Sequence, residues 1–312
     1  MPILPLIMGG SKKNILVTGG TGFIGRYLTA ALLEKGHEVS LLSRKPGKDP
    51  RIKTYLWDVN KGYIDEHCLD GIDLIIHLAG AGIADEKWTE ARKKELIDSR
   101  TNSIGLIYQL IKTKPNSVKR IISASAIGYY GSRADEILTE SSQPGKDGFM
   151  PECCIAWENA IDEGKALGLS IIKFRTGVVL DKSSGALPQM ALPVKLFAGA
   201  PLGAGDQWIP WIHWNDALDM YLFALEHEDM QGVYNMVAPN PVTNTQLTKA
   251  IAKQLHRPVW PVGVPKFLLN LILGEMSVIV LGSTRVSASA IEAAGFVFKY
   301  PGLTDALASI YK

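Results

Sequence analysis

Three groups of residues have the types and spacing that chemistry needs. The first lies in Ile15-Leu16-Val17-Thr18-Gly19-Gly20-Thr21-Gly22-Phe23-Ile24-Gly25, with glycines at 19, 22 and 25 between an apolar β-branched run and a helical pattern. At such a junction Gly19 allows a tight turn, Gly22 lets a diphosphate approach the backbone, and Gly25 lets strand and helix pack closely. Free N–H groups at the start of that helix, with its dipole, then attract the phosphates. The second group is Ser43-Arg44-Lys45, with Lys48 just beyond, at the end of the second strand. A carboxylate there would hold a ribose 2′-hydroxyl, whereas a cation without one suits a 2′-phosphate, so the expected cofactor is NADP(H). The third group is Ser125, closing another apolar run, followed by Tyr129 and Tyr130. These hydroxyls fall where open α/β folds bind ligands, and suit a serine that polarises an oxygen beside a tyrosine that supplies a proton. His213, among Trp211 and Trp214, is a second proton-transfer candidate, although a histidine held by aromatics is more often structural.

The elements that must position these groups alternate along the first half of the chain. Strands are expected at 14–18, 38–43, 51–57, 73–78 and 118–125, and helices at 23–35 and 89–113. A helix over 151–167 and a strand over 170–174 continue the series. Runs apolar on both faces and separated by helices imply a parallel sheet covered on both sides, because each right-handed crossover lays its helix on a face. The fold class is therefore α/β: a doubly wound parallel Rossmann sheet with a smaller, mainly helical C-terminal lobe. Gly, Pro and Trp become dense from Gly177 to Trp214 and mark the entry to that lobe. A disordered leader is expected over 1–12, the nucleotide-binding domain over 13–180, and a substrate lobe with interleaved sheet elements over 181–312.

Composition narrows the function classes. A net charge of +2 gives no reason to expect nucleic acid or an anionic membrane as partner. The three cysteines, Cys68, Cys153 and Cys154, have neither metal-site nor disulfide-framework spacing, so no metal is expected and a reducing, cytoplasmic setting fits. The apolar stretch from Val264 to Leu281 is interrupted by Lys266, Asn270 and Gly274-Glu275. It is expected to be a buried or interface helix pair rather than a transmembrane segment, and a homodimer contact is its simplest use. The expected ligand beyond the cofactor is a small-molecule substrate.

The glycine spacing resembles that of the extended short-chain dehydrogenase/reductases. That resemblance places Asp58 at the adenine, Leu78, Ala79 and Gly80 along the ribose and nicotinamide, and Ser125 at the superfamily's catalytic Ser/Thr position. More narrowly, the whole chain resembles the YfcH-like, 39U1-type atypical members known as epimerase family proteins. Ser43-Arg44-Lys45-Pro46-Gly47, Asp98-Ser99-Arg100, Ala156-Trp157-Glu158, Arg175-Thr176-Gly177 and Gly205-Asp206-Gln207-Trp208 carry this likeness. It implies that Ser43, Arg44, Leu78 and Ala79 line the cofactor, flanked by Glu95 and Arg100, and with the glycine turn it adds Thr21, Phe23 and Ile24 to the cofactor site. The chain departs from the superfamily in having no Tyr-x-x-x-Lys. The tyrosine position falls at or beside Cys153 or Cys154, and the lysine position at or beside Trp157. Two functions follow: an NADP(H)-dependent oxidoreductase or epimerase with Ser125 and Tyr129 or Tyr130 as its catalytic groups, or an NADP(H)-binding sensor or interaction protein without chemistry.

Overall fold

The computed structural model describes residues 12–312, so the leader expected over 1–12 lies, but for its last residue, outside the described residues. Eight strands form the main sheet: β1 (Asn14–Thr18), β2 (Glu38–Ser43), β3 (Lys53–Asp58), β4 (Tyr63–Ile64), β5 (Leu74–His77), β6 (Arg120–Ala126), β7 (Ser170–Thr176) and β8 (Gly232–Met236). Their spatial order is β8-β7-β6-β5-β1-β2-β3-β4. Every pair is parallel except β3 with β4, a two-residue return too short to leave a pattern in sequence. The order reverses between β1 and β5, and the crevice at the strands' carboxyl ends there is where such sheets bind ligands.

Burial explains why the sheet is covered twice. Ile15, Leu16 and Val17 of β1 are each fully buried, although consecutive strand residues point to opposite faces. Ile15, Val17, Ile76 and Ile122 pack on Leu28 and Leu32 of α1 (Phe23–Glu34). Leu16, Ile75 and Ile121 pack on Ile104 and Ile107 of α2 (Glu90–Thr113) and on Trp157 and Ile161 of α3 (Phe149–Asp162). The expected helix over 151–167 thus begins two residues earlier, and its last turn tightens to 3-10 geometry over Glu163–Leu167.

The second lobe has its own core, in which Leu187 and Val194 of α4 (Leu187–Lys195) meet Trp211 and the Leu247 and Ile251 side chains of α6 (Asn244–Gln254). Thr243 opens α6 with a reciprocal capping box to Gln246. Between those helices the chain returns to the nucleotide layer: α5 (Trp214–Glu226) packs beside α1, and β8 extends the main sheet next to β7. The stretch 264–281 folds as α7 (Lys266–Leu273), a turn broken at Gly274 with φ +58°, and α8 (Val278–Leu281). Phe267, Leu271 and Ile272 of α7 are exposed rather than buried. Among the described residues no helix is long and apolar enough to cross a membrane. Of the remaining helices, α9 (Ser289–Ala293) packs on β8 of the main sheet and α10 (Leu303–Tyr311) on α6 of the lobe.

His77 shows how the sheet edge is fastened beneath the crevice. The Thr18 hydroxyl accepts the Leu78 and Ala79 N–H groups at 3.2 and 3.1 Å, so its own proton goes to His77 Nδ1, 2.9 Å away. The imidazole is then neutral and donates from Nε2 to Ser103 on α2 at 3.2 Å. Burial pushes its pKa down to about 4. A histidine whose folded pKa lies below its unfolded value contributes stability above the unfolded pKa and loses it as pH falls towards the folded one. Between pH 6.5 and pH 5 this residue alone should cost about 2 kcal/mol of folding free energy. An NMR titration should find the His77 ring still neutral at pH 5, and titration near 6.5 would contradict the arrangement.

Candidate functional site

The turn after β1 works only because Gly19 and Gly25 lack side chains. Gly19 has φ +69°, and a Cβ on it would lie 2.8 Å from the Leu78 carbonyl carbon. A Cβ on Gly25 would lie 2.2 Å from the Gly19 carbonyl oxygen, a backbone atom that cannot swing aside. Gly22 caps α1 with no side-chain hydrogen bond, and no acidic residue stands in the first turn. The first N–H groups of α1 are thus left to whatever occupies the crevice, and their partial positive charge favours an anion.

A cleft of about 1290 Å³ runs from this turn to the lobe. Of the expected cofactor residues, Gly19, Gly22, Phe23, Ile24, Gly25, Leu78, Gly80 and Arg100 line it, while Thr21, Ser43, Arg44, Asp58, Ala79 and Glu95 do not. Leu42 pairs with Thr18 across β2 and β1, so Ser43, the last residue of β2, and Arg44 just beyond it lie beside the glycine turn. Arg44 is exposed and forms no ion pair among the described residues. Asp58 spends one carboxylate oxygen on the Lys61 N–H at 3.2 Å. Glu95 is bound to Arg92 at 2.7 Å. Arg100 is buried with no carboxylate partner, donating to the Leu96 and Ala81 carbonyls and stacking on Trp157 at 5.0 Å. Burial lowers its pKa from the usual guanidinium value.

Ser125 lines the cleft and donates to Glu158 Oε1 at 2.7 Å. The same oxygen accepts Arg175 Nε at 2.8 Å, while Oε2 accepts Arg175 Nη2 at 3.0 Å and lies 3.1 Å from the Lys173 ammonium. Burial by itself would raise the Glu158 carboxyl, but Arg175, Lys173 and Ser125 outweigh it and hold it below the usual carboxylate range. Arg175 also donates to the Tyr130 hydroxyl at 3.0 Å and lies 3.5 Å over the Tyr129 ring.

The two tyrosines are placed differently. Tyr130 is fully buried, and its hydroxyl donates to Asn235 Oδ1 at 2.6 Å. Burial pushes its pKa up to about 12 despite Arg175, which keeps the phenol protonated, and its side chain lines the cleft with the hydroxyl held by Asn235 of β8 and by Arg175. Tyr129 lies outside the cleft lining. His213 is held on both ring nitrogens: Nδ1 accepts the Asn215 N–H at the start of α5, Nε2 meets Ser309 at 3.0 Å, and burial lowers its pKa to about 4. Cys153 and Cys154 are buried free thiols whose pKa values burial pushes up.

Sequence reasoning passed over Glu158 and Arg175 as functional residues. The signal was there, in two cations at i and i+2 of an apolar strand, Lys173 and Arg175, opposite two carboxylates at i and i+4 of a helix, Glu158 and Asp162. Cys154 and Glu158 share that same i, i+4 spacing, which is the spacing of the missing Tyr-x-x-x-Lys.

A doubly wound sheet with this turn at its switch point defines a Rossmann protein of the short-chain dehydrogenase/reductase class. The chain belongs to the epimerase family of the SDR39U1 type. Residues 15–149 match the NAD dependent epimerase/dehydratase family, and residues 264–310 match a domain of unknown function, DUF1731. Epimerase family protein YfhF of Bacillus subtilis is 38% identical over 298 residues, covering 95% of this chain and 97% of that protein. The chloroplastic SDR39U1 homolog of Arabidopsis thaliana is 36% identical, covering 96% of this chain and 87% of its own. A crystal structure of human epimerase family protein SDR39U1 (isoform 2) with NADPH superposes with a TM-score of 0.84 at 30% identity, covering 96% of this chain and 99% of that one.

The turn supplies its own test. Gly25→Ala should force strand and helix apart and lower stability by about 1–3 kcal/mol, the range for overpacking at a rigid contact. Chemical denaturation measures it, and an unchanged midpoint would contradict the close approach.

Proposed function

We propose that this chain binds NADP(H) and acts as an oxidoreductase or epimerase on a small polar, nucleotide-linked substrate. The observation that carries the cofactor is the bare glycine cradle with Arg44 leaving the adjacent strand free of any carboxylate partner. The cradle would take the diphosphate, Arg44 the 2′-phosphate, and Leu78 and Gly80 the ribose and nicotinamide, with Thr21, Ser43, Asp58, Ala79, Glu95 and Arg100 around them. The human relative's NADPH supports the choice of cofactor. When bound, the nicotinamide supplies hydride exchange at its C4. The chain's own part is to exclude water, hold the substrate against Ser125 and keep the diphosphate in register. Free, unpaired cysteines support a reducing, cytoplasmic setting.

A second reading, an NADP(H)-binding sensor or interaction protein without turnover, draws support from the same helix. Neither thiol at the tyrosine position is poised to ionise, and Glu158 stands where a lysine would be expected. NADPH consumption against a panel of carbonyl compounds separates the two, since turnover with any of them removes the second.

For either reading Arg44→Ala should weaken NADPH by about 10- to 100-fold, the worth of a hydrogen-bonded charge pair, and leave NADH nearly unchanged. Fluorescence titration with both nucleotides checks this, and equal losses would refute the role of Arg44.

A further inference from the structure

The hydrogen-bond polarity at Ser125 follows from what its neighbours can do. A guanidinium and an ammonium only donate, and an ionised carboxylate only accepts. Glu158 receives Arg175 on both oxygens and Lys173 on one, so it has no proton to offer Ser125. The 2.7 Å contact therefore runs from the Ser125 hydroxyl to Glu158 Oε1. The Ser125 hydroxyl makes no other hydrogen bond among the described residues, and what it presents to the cleft is its lone pairs. Nearby groups do not satisfy them: the Tyr130 proton is spent on Asn235, and Cys154 is buried in α3.

We propose that Glu158 is a positioning residue that fixes Ser125 as a hydrogen-bond acceptor towards the cleft, so that the substrate group seated there is an alcohol hydroxyl rather than a ketone oxygen. A hydroxyl gives its proton to Ser125 and completes the chain from substrate to Ser125 to Glu158. A ketone oxygen has only lone pairs to set against lone pairs, and leaves both acceptors unsatisfied in a desolvated site. The serine thus selects the reduced member of an alcohol/ketone pair instead of polarising a carbonyl. This rests on the cleft being the cofactor and substrate site, as proposed above.

Neutron diffraction from deuterium-exchanged crystals tests the polarity in the native protein, without any variant. The Ser125 deuteron should lie on the line to Glu158 Oε1, and a deuteron directed into the cleft would overturn the proposal. The substrate half is tested by ligand-observed NMR on NADP⁺-loaded protein with a panel of matched secondary alcohols and ketones. Alcohols should bind about tenfold or more tightly than their ketones, the least expected when a buried polar group is left unmatched. That ratio should collapse towards one in Glu158→Gln, whose amide can also donate to Ser125, and in Ser125→Ala, which leaves Glu158 its two cations should the first variant fail to fold. Ketones that bind as well as alcohols, or a panel in which neither binds, would overturn it. An NADPH titration keeps the two failures apart. Absent nucleotide binding with the deuteron on the Glu158 side sinks the cofactor reading alone, whereas intact binding with the deuteron in the cleft sinks this one alone.

Discussion

The structure depends on one close backbone approach. Gly25 of the first helix sits against the Gly19 carbonyl, at a separation that would put any Cβ 2.2 Å from that oxygen. The contact lets α1 begin directly over the end of β1, which aims its unsatisfied N–H groups into the crevice where the strand order reverses. The neighbouring strands fall into place around it: β2 delivers Arg44 on one side and β5 delivers Leu78 to Gly80 on the other. A side chain at Gly25 would move the cradle away from both. The glycines are therefore a constraint on anion binding as much as on folding.

The other half of the site is set by a buried charge cluster. Burying Glu158, Arg175 and Lys173 costs several kcal/mol of desolvation per ion, recovered only when every donor and acceptor is matched. Here Glu158 accepts from two residues of β7 and one of β6, Lys173 reaches on to Asp162, and Arg175 reaches on to Tyr130. The cluster ties α3 to β6 and β7 next to Ser125, which lines the cleft. It occupies the place where a tyrosine and a lysine would be expected, and it converts the helix that should carry an ionisable hydroxyl into one that carries a fixed negative charge. The proton chemistry we propose for this site therefore runs through Ser125.

Much of this could be read from sequence, for a physical reason. Fully buried parallel strands are continuous β-branched runs, and helices between them have caps, so β1, β2, α2 and β6 were expected within a residue or two of where they lie. The glycine turn was legible because each glycine answers a local steric need. The two-residue strands 137–138 and 285–286, which pair across the lobe, were not legible, because such short pairings have no period. The bond from Tyr130 to Asn235 was not legible, because an aromatic hydroxyl near a sheet edge looks the same in sequence whatever its partner. Glu158 was passed over because its partners come from two other strands, and only the fold brings them within 3 Å. The boundary at residue 180 marks a change of composition, and beyond it α5 and β8 lie in the nucleotide layer.

The central claim is that the cradle and Arg44 together hold a phosphorylated dinucleotide. A crystal structure of this chain grown with NADPH tests it directly. The account predicts the diphosphate against the N–H groups that follow Gly22 and the Arg44 guanidinium on the 2′-phosphate. A nucleotide bound elsewhere, or bound in the cleft with Arg44 turned to solvent, would contradict it.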